Sequence, residues 1–249
     1  MRYFMTFSYD GSNFKGYQKQ LKERTIQNEL EKSLTKINSD IPVKVSASGR
    51  TDAGVHAYNQ KAHFDMESAV EFSKLKHSLN SLLPDDIYVR GITTVADDFH
   101  ARFSVKAKEY IYKINLGKYN PIERNYVYQY NKRLDIPEME RALKYIEGTH
   151  NFKAFTKVDK DDSENEDYVR TIIQASLIRD TKNINNITIS LLGTGFLRYM
   201  VRNIVGLLIE VGEGKLKSED VIEIIASEDR TQAGICAPSC GLYLNDVYY

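Results

Sequence analysis

Residues 43–64 read VKVSASGRTDAGVHAYNQKAHF, two strand-like segments on either side of a loop. Val43–Ser48 and Val55–Phe64 have the residue types of β-strands. Gly49–Gly54 between them carries two glycines and an aspartate, residues that favour turns. The stretch therefore predicts two consecutive strands joined by a turn or loop, the centre of a β-α-β-β-α-β order.

The segments around this centre supply the rest of that order. Arg2–Tyr9 alternates apolar and polar residues and predicts a strand, as does Ile87–Val95. Two apolar stripes at helical spacing predict helices, one capped by Thr25 and one ended by Pro84. The stripes consist of Ile26, Leu30, Leu34 and Ile37, and of Phe72, Leu75, Leu79 and Leu82. This order is the ferredoxin-like pattern.

The rest of the chain is predicted to form a second half with a variant of the same β-α-β-β-α-β order. Its predicted strands are Lys108–Ile114, Thr171–Ile178, Ile184–Leu192 and Leu242–Tyr248. Its predicted helices begin at Pro137, cover Phe196–Val211 and cover Val221–Ala226. We therefore expect an α+β fold of two ferredoxin-like (RRM-like) halves, 1–104 and 105–249, each with an antiparallel sheet. Nucleic acids often bind the open face of such sheets.

The composition excludes several classes of protein. The chain has 249 residues, with 34 basic and 34 acidic side chains, 42% hydrophobic residues and two cysteines. These values exclude predominant disorder and a disulfide scaffold. Because the sequence contains neither a long apolar run nor a signal-peptide pattern, we expect a cytoplasmic protein without a membrane span. Cys236 and Cys240 are expected to be reduced structural thiols.

Charge is unevenly distributed along the chain although its sum is zero. Basic residues outnumber acidic ones over 1–62 and 101–113, and the reverse holds over 157–167 and 213–229. Such blocks permit a basic face without a net basic charge. Residues 157–167, KVDKDDSENED, are expected to form a mobile acidic loop.

The loop at Gly49–Gly54 holds the first candidate site. Arg50 and Asp52 are two positions apart, and such residues share a face in extended backbone. The Arg50 guanidinium would then keep the Asp52 carboxylate ionised, which is the form a nucleophile needs. His56 follows the loop and is a candidate to line the same site. The alternative is a plain turn that Asp52 caps, with Arg50 in a surface ion pair.

Two further clusters are candidates for binding. In Lys106–Lys113, Tyr110 and Tyr112 would share one face of a strand between basic residues, an arrangement that suits stacking on unpaired bases. The alternative is an ordinary half-buried strand, since tyrosine is common in strands. Arg198 and Arg202 are four residues apart, so they would share one helix face near its start. They could bind phosphate or brace a carboxylate, or simply line a solvated face.

Several segments together resemble one family. Residues 48–57, SGRTDAGVHA, resemble the active-site signature of the tRNA pseudouridine synthase A family. Six further groups of residues resemble its other motifs in the same order along the chain. These are Phe14–Gln18, Leu83–Ile87, Phe99–Ser104 with Lys108–Tyr110, Gly148–Phe152, Gly195–Gly206 and Ala237–Leu244. The histidines and cysteines follow no common metal pattern, and no phosphate-binding glycine motif occurs.

The resemblance implies a function and roles for particular residues. It implies an isomerase that converts uridine to pseudouridine at positions 38, 39 and 40 of the tRNA anticodon stem-loop. It implies a homodimer that needs no cofactor or metal, with the two sheets forming a central basic cleft. Asp52 would be the nucleophile and Arg50 its partner near the flipped nucleotide. The remaining implied roles are stacking of Tyr110 on the uracil, a second cation from Arg202 and an apolar contact from Leu242.

The sequence departs from the family pattern in places and leaves alternatives open. Tyr17 stands where tryptophan is common, Cys236 stands where threonine is frequent, and the acidic loop 157–167 resembles an insertion. Because some bacteria carry two copies of this family, a second copy acting on other uridines is one alternative. The others are a non-catalytic RNA-binding protein on the same fold and a nucleoside hydrolase that uses Asp52 and water.

Overall fold

The structure is a computed structural model that describes residues 1–67, 69–157 and 167–249. Within these ranges the chain forms a mixed α+β fold with ten strands and five α-helices. Contacts between residues divide it into two compact units: unit 1 is Met1–Lys106 with Tyr243–Tyr249, and unit 2 is Ala107–Leu242. Most of the predicted acidic loop 157–167 lies outside the described residues. No helix in the described ranges is both long and apolar enough to cross a membrane.

Unit 1 follows the strand and helix order that its sequence predicts. Its elements are β1 (Arg2–Tyr9), α1 (Ile26–Ile37), β2 (Val45–Ala47), β3 (His56–Asp65), α2 (Phe72–Leu82) and β4 (Ile87–Thr94). Strand β1 lies between β4 and β3, and β2 pairs with β3, with all these neighbours antiparallel. The last strand of the chain, Leu242–Tyr248, runs parallel to β3, with Tyr243 opposite His56. It is strand β10, since unit 2 supplies β5 to β9.

Local signals explain why these elements form where they do. Every second residue of β1 is buried, from Tyr3 to Tyr9, as expected for a strand with one face on a core. Helix α1 begins after Thr25, whose side chain accepts a hydrogen bond from the Asn28 amide at 3.4 Å. Its predicted apolar stripe is buried except for Ile37, whereas in α2 only the middle of the predicted stripe, Leu75 and Leu79, is buried. The core of unit 1 therefore lies between α1, α2 and one face of its sheet.

Unit 2 has more elements than its sequence predicts. They are β5 (Ala107–Asn115), β6 (Tyr128–Gln129), α3 (Ile136–Ile146), β7 (Gly148–Asn151), β8 (Val169–Arg179), β9 (Asn186–Gly193), α4 (Met200–Gly212) and α5 (Asp220–Ser227). Strands β5, β9, β8 and β7 are antiparallel neighbours in that order, and the short β6 runs parallel to β5. Neither β6 nor β7 was predicted, because strands of two and four residues carry too little periodicity to be recognised.

Two predictions about unit 2 are wrong. The helix predicted over Phe196–Val211 begins only at Met200, because Tyr199 has a φ of 64°, a left-handed conformation that a right-handed helix cannot contain. Arg198 therefore precedes α4, and it does not share a helix face with Arg202. The strand predicted from Ile184 begins at Asn186, and Ile184 is exposed.

The two contact units are close to the predicted halves but differ in one segment. The predicted boundary falls at 104/105 and the first unit's main segment ends at Lys106, but Tyr243–Tyr249 belong with unit 1. Strand β10 causes this difference, since it pairs with β3. That 1–104 and 105–249 are separate domains stays a prediction.

Candidate active site

The loop of residues 48–55 in unit 1 carries the predicted nucleophile. Its last four residues form a tight turn in which the Val55 amide donates to the Asp52 carbonyl at 3.2 Å. Gly54, the third residue of this turn, has a φ of 78°, a value that glycine adopts without strain. Asp52 is partly exposed and Arg50 is exposed. The turn therefore presents Asp52 at its first position, on a backbone with a defined direction.

The neighbouring segment 11–17 holds the backbone of this loop. The Tyr17 amide donates to the Thr51 carbonyl at 3.0 Å, and the Gly54 amide donates to the Phe14 carbonyl at 3.3 Å. Gly11 packs so closely that a Cβ atom there would overlap the Val55 carbonyl oxygen. The loop is thus fixed on both sides of Asp52 by hydrogen bonds and by a close backbone contact.

Buried polar side chains support the same loop from below. The Ser48 hydroxyl donates to Gln60 Oε1 at 2.6 Å, and Gln60 Nε2 donates to the Gly49 carbonyl at 3.1 Å. The hydroxyls of Tyr9 and Thr51 share a hydrogen bond of 2.7 Å. Neither Tyr9 nor Gln60 is among the predicted site residues. The available signals were weak: Tyr9 is an inward position of a predicted strand, and Gln60 is a polar residue inside another.

The ion pair predicted between Arg50 and Asp52 stays a prediction. It assumed extended backbone between the two residues, whereas a tight turn begins at Asp52. Arg50 is exposed, and Asp52 has interactions of its own.

His56 is packed inside unit 1. Its side chain is 2% exposed, and its ring stacks on Tyr243 of β10 with the centroids 4.6 Å apart. Nδ1 accepts a hydrogen bond from the Gly11 amide at 3.1 Å, and an oxygen of Asp10 lies 3.2 Å from the same nitrogen. A contact between His56 and substrate stays a prediction.

In unit 2, Tyr110 and Tyr112 share the buried face of β5, so the predicted alternation is confirmed. Tyr112 is fully buried and donates to the Pro238 carbonyl at 2.6 Å, so its ring cannot stack on a base. Tyr110 is 7% exposed, and its ring meets that of Phe196 edge to face at 5.0 Å. Of this pair, Tyr110 is therefore the candidate for stacking.

Arg202 connects the start of α4 to the segment that leads into β10. Its Nε donates to the Ala237 carbonyl at 2.7 Å, and the Ala237 amide donates to the Arg202 carbonyl at 3.1 Å. Leu242, at the end of this segment, is 5% exposed. Arg202 and Leu242 are thus held by the same stretch of chain.

Arg198 and Arg202 both lie against the aromatic ring of Tyr199. The guanidinium carbons of Arg198 and Arg202 lie 4.9 and 5.3 Å from the centroid of the Tyr199 ring. Arg198 is exposed, and it also donates to the Tyr199 hydroxyl at 3.2 Å. The left-handed Tyr199 therefore gathers two cations, although they do not share a helix face.

Two further features bear on the chemistry of the site. Cys236 and Cys240 are free thiols, and burial raises the pKa of Cys240. Among the residues that the structure describes, no group of three His, Cys, Asp or Glu side chains is arranged to hold a metal ion.

Comparison with known proteins gives one consistent result. Residues 5–104 and 142–249 match the family described as tRNA pseudouridine synthase. The tRNA pseudouridine synthase A of Anoxybacillus flavithermus is 44% identical over 98% of this chain and 97% of its own length. That of Streptococcus mutans is 41% identical over 100% and 99%, and tRNA pseudouridine synthase A 1 of Bacillus cereus is 44% identical over 98% and 97%. Since both the family match and these relatives extend over most of the sequence, the chain belongs to the tRNA pseudouridine synthase family.

Proposed function

We propose that this protein isomerises uridine to pseudouridine at positions 38, 39 and 40 of the tRNA anticodon stem-loop, with Asp52 as the nucleophile. Membership of the family carries the coarser part, which is isomerisation of uridine within tRNA. The observation that carries the role of Asp52 is its place at the start of a tight turn held by residues 11–17. A carboxylate that must meet one atom of a flipped nucleotide needs such a fixed backbone.

The reaction requires cleavage of a stable bond and formation of another. The bond between ribose C1′ and uracil N1 breaks, the base turns, and C5 bonds to C1′. The C5 proton leaves and N1 gains a proton, so the reaction is redox-neutral and the RNA keeps its mass. Asp52 has three routes open to it: attack on C1′, removal of the 2′ proton to give a glycal, or addition to uracil C6. In either sugar route a nearby carboxylate stabilises the oxocarbenium-like charge.

The other residues serve the flipped nucleotide in this proposal. Flipping costs a few kcal/mol, and stacking of a base on an aromatic ring returns about 1–3 kcal/mol. Tyr110 supplies that ring and is a candidate to help remove the C5 proton. Leu242 gives an apolar contact under the uracil. Arg50, Arg198, Arg202 and His56 would bind the RNA around it.

The proposal extends to the state of the protein. It includes a homodimer that acts on tRNA in the cytoplasm and needs no cofactor, since the reaction requires no external oxidant. It also includes the ferredoxin-like character of both halves. In unit 1 the ferredoxin-like character is supported by the β-α-β-β-α-β order and by the antiparallel arrangement of β4, β1, β3 and β2.

The test uses tRNA labelled with tritium at uracil C5 and purified protein without added cofactor. We expect tritium release with unchanged RNA mass, and pseudouridine mapped to positions 38, 39 and 40. Asp52→Asn and Asp52→Ala should abolish release while tRNA still binds. Residual turnover above about one part in a thousand would contradict the nucleophile role.

The same experiment separates the alternatives. Release of free uracil would indicate a nucleoside hydrolase. Binding without tritium release from any tRNA would indicate a non-catalytic RNA-binding protein. Pseudouridine at other positions would indicate an enzyme of the same chemistry with a different choice of site.

A further inference from the structure

Three buried side chains and the partly exposed Thr51 meet beneath the loop that carries Asp52. Tyr9 is 5% exposed, and Ser48 and Gln60 are fully buried. Gln60 accepts from the Ser48 hydroxyl and donates to the Gly49 carbonyl, while the Tyr9 hydroxyl bonds to that of Thr51 at 2.7 Å. We call these residues, Tyr9, Ser48, Thr51 and Gln60, the loop network.

The polar side chains of the loop network do not stabilise the core of unit 1 more than apolar side chains of the same size would. Burying a hydroxyl or an amide costs free energy that its hydrogen bonds only offset, so an apolar set of the same size would stabilise the core as well. A satisfied buried network instead selects one conformation, because its hydrogen bonds are directional. Outside β1 and β3, the hydrogen bonds described above end on Ser48, Gly49 and Thr51, which precede Asp52 in the loop.

Tyr9 acts in this network as a neutral hydrogen-bonding group. Burial raises its pKa to about 12, against the opposing effect of hydrogen bonds with Thr51 and Gln60. The phenol is therefore protonated at neutral pH, and its hydroxyl can take part in the hydrogen bond with Thr51.

We infer that Tyr9 is a positioning residue for the isomerisation: through its hydrogen bond to Thr51 it sets the place of the Asp52 carboxylate. This inference rests on the proposed function, in which Asp52 is the nucleophile. Tyr9 is buried and its hydroxyl bonds to Thr51, so its effect on Asp52 passes through Thr51. Small errors in the place of a reacting group can cost on the order of a hundredfold in rate.

The chain offers a matched control on the same strand. Tyr3 lies on the same face of β1, is also fully buried, and accepts a hydrogen bond from the Val70 amide at 2.8 Å. Tyr3→Phe and Tyr9→Phe each remove one buried phenol hydroxyl from β1. They differ in that only the Tyr9 hydroxyl reaches the loop.

The experiment measures kcat, KM for tRNA and thermal melting for four single variants. Tyr9→Phe and Thr51→Val should each lower kcat by about tenfold to a hundredfold, with KM changed by less than about twofold. Thr51→Ser keeps the hydroxyl and should restore most of kcat. Tyr3→Phe should melt about as early as Tyr9→Phe yet keep the kcat of the unaltered protein. The double variant Tyr9→Phe/Thr51→Val should lose little more than either single one, since both remove the same bond.

The inference is overturned if Tyr9→Phe keeps the kcat of Tyr3→Phe, or if kcat follows melting temperature across all the variants. Asp52→Asn is assayed alongside them. An unaltered protein that releases no tritium, or an active Asp52→Asn, would overturn the proposed function and this inference with it. An active protein with an inactive Asp52→Asn and an unaffected Tyr9→Phe would overturn the positioning role alone.

Discussion

The loop at 48–55 in unit 1 and the segment at 195–202 in unit 2 hold their side chains in different ways. Around Asp52, buried hydroxyls, an amide and backbone groups form directional hydrogen bonds. Around Arg198 and Arg202, contacts of the guanidinium groups with the Tyr199 ring accompany two hydrogen bonds, from Arg202 to the Ala237 carbonyl and from Arg198 to the Tyr199 hydroxyl. Hydrogen bonds fix distance and angle, whereas contacts with ring faces tolerate sliding and tilting. The comparison teaches that the proposed nucleophile has a support made of hydrogen bonds, whereas the proposed binding groups have one that is partly aromatic and more adaptable.

The largest effect is expected from disturbing the support of the Asp52 loop directly. In Gly11→Ala the new Cβ would overlap the Val55 carbonyl oxygen, so the turn at Asp52 must shift. We expect kcat to fall on the order of a hundredfold, measured by tritium release with melting recorded in parallel. Gly91→Ala on β4 is the control, because a Cβ there meets nothing within 4 Å. A Gly11→Ala protein with normal kcat would show that the loop is not held as we describe.

A smaller effect, on binding, is expected at Tyr110, whose ring meets Phe196 of the 195–202 segment. Tyr110→Ala should weaken tRNA binding by about tenfold, because it removes the ring that we propose to stack on the base. Tyr110→Phe keeps the ring and should bind within about twofold of the unaltered protein. Dissociation constants are measured at one salt concentration, since phosphate contacts make binding strongly salt-dependent. If Tyr110→Phe binds as poorly as Tyr110→Ala, the stacking role is wrong.

At the far end of β3 we expect no effect on turnover, but an effect of His63 on how stability depends on pH. His63 is buried, and its Nδ1 accepts a hydrogen bond from the Ala101 amide at 3.1 Å. Burial, together with His100, lowers the pKa of His63 below its usual value of about 6.5. The unfolded chain therefore takes up the proton first, so this contribution to stability is complete above about pH 6.5 and is lost as the pH falls through the folded-state pKa.

His63→Asn tests this dependence. It keeps an acceptor but removes the titrating ring, so the unfolding free energy should vary less between pH 7 and pH 5. His77→Asn, at an exposed position of α2, should leave that variation unchanged. Neither variant should alter kcat at neutral pH. An equal pH dependence in all three proteins would assign the effect to other groups.

Much of the fold could be predicted because its signals are local. The cap at Thr25 and the buried stripe of Ile26, Leu30 and Leu34 are enough to place α1. The left-handed conformation of Tyr199 could not be predicted, because a non-glycine residue adopts it only where tertiary contacts support it. One contact beside it is the hydrogen bond from the Thr156 hydroxyl to the Arg198 carbonyl at 3.0 Å. The pairing of β10 with β3 joins residues far apart in the sequence, and no periodicity reveals it.

The candidate site also has one part that the sequence predicts and one part that it does not. The loop with Asp52 stands out in the sequence by its composition, and its roles come from the family resemblance. The support beneath it does not stand out, because Tyr9 and Gln60 look like ordinary strand residues until the strands are brought into register. The Arg50–Asp52 ion pair stays a prediction, and it assumed extended backbone across what is the start of a turn.

A ribosome makes β10 only after all of unit 2, yet β10 is a strand of unit 1. Until then β3 lacks its parallel neighbour at His56 and Ala57, and the His56 ring lacks Tyr243. Unit 1 therefore cannot finish folding before unit 2 is synthesised, although domains made early usually do so. A chain interrupted before residue 243 would leave part of β3 as an open strand edge, a template for pairing with other chains. Completion of translation is thus a condition for a finished catalytic unit.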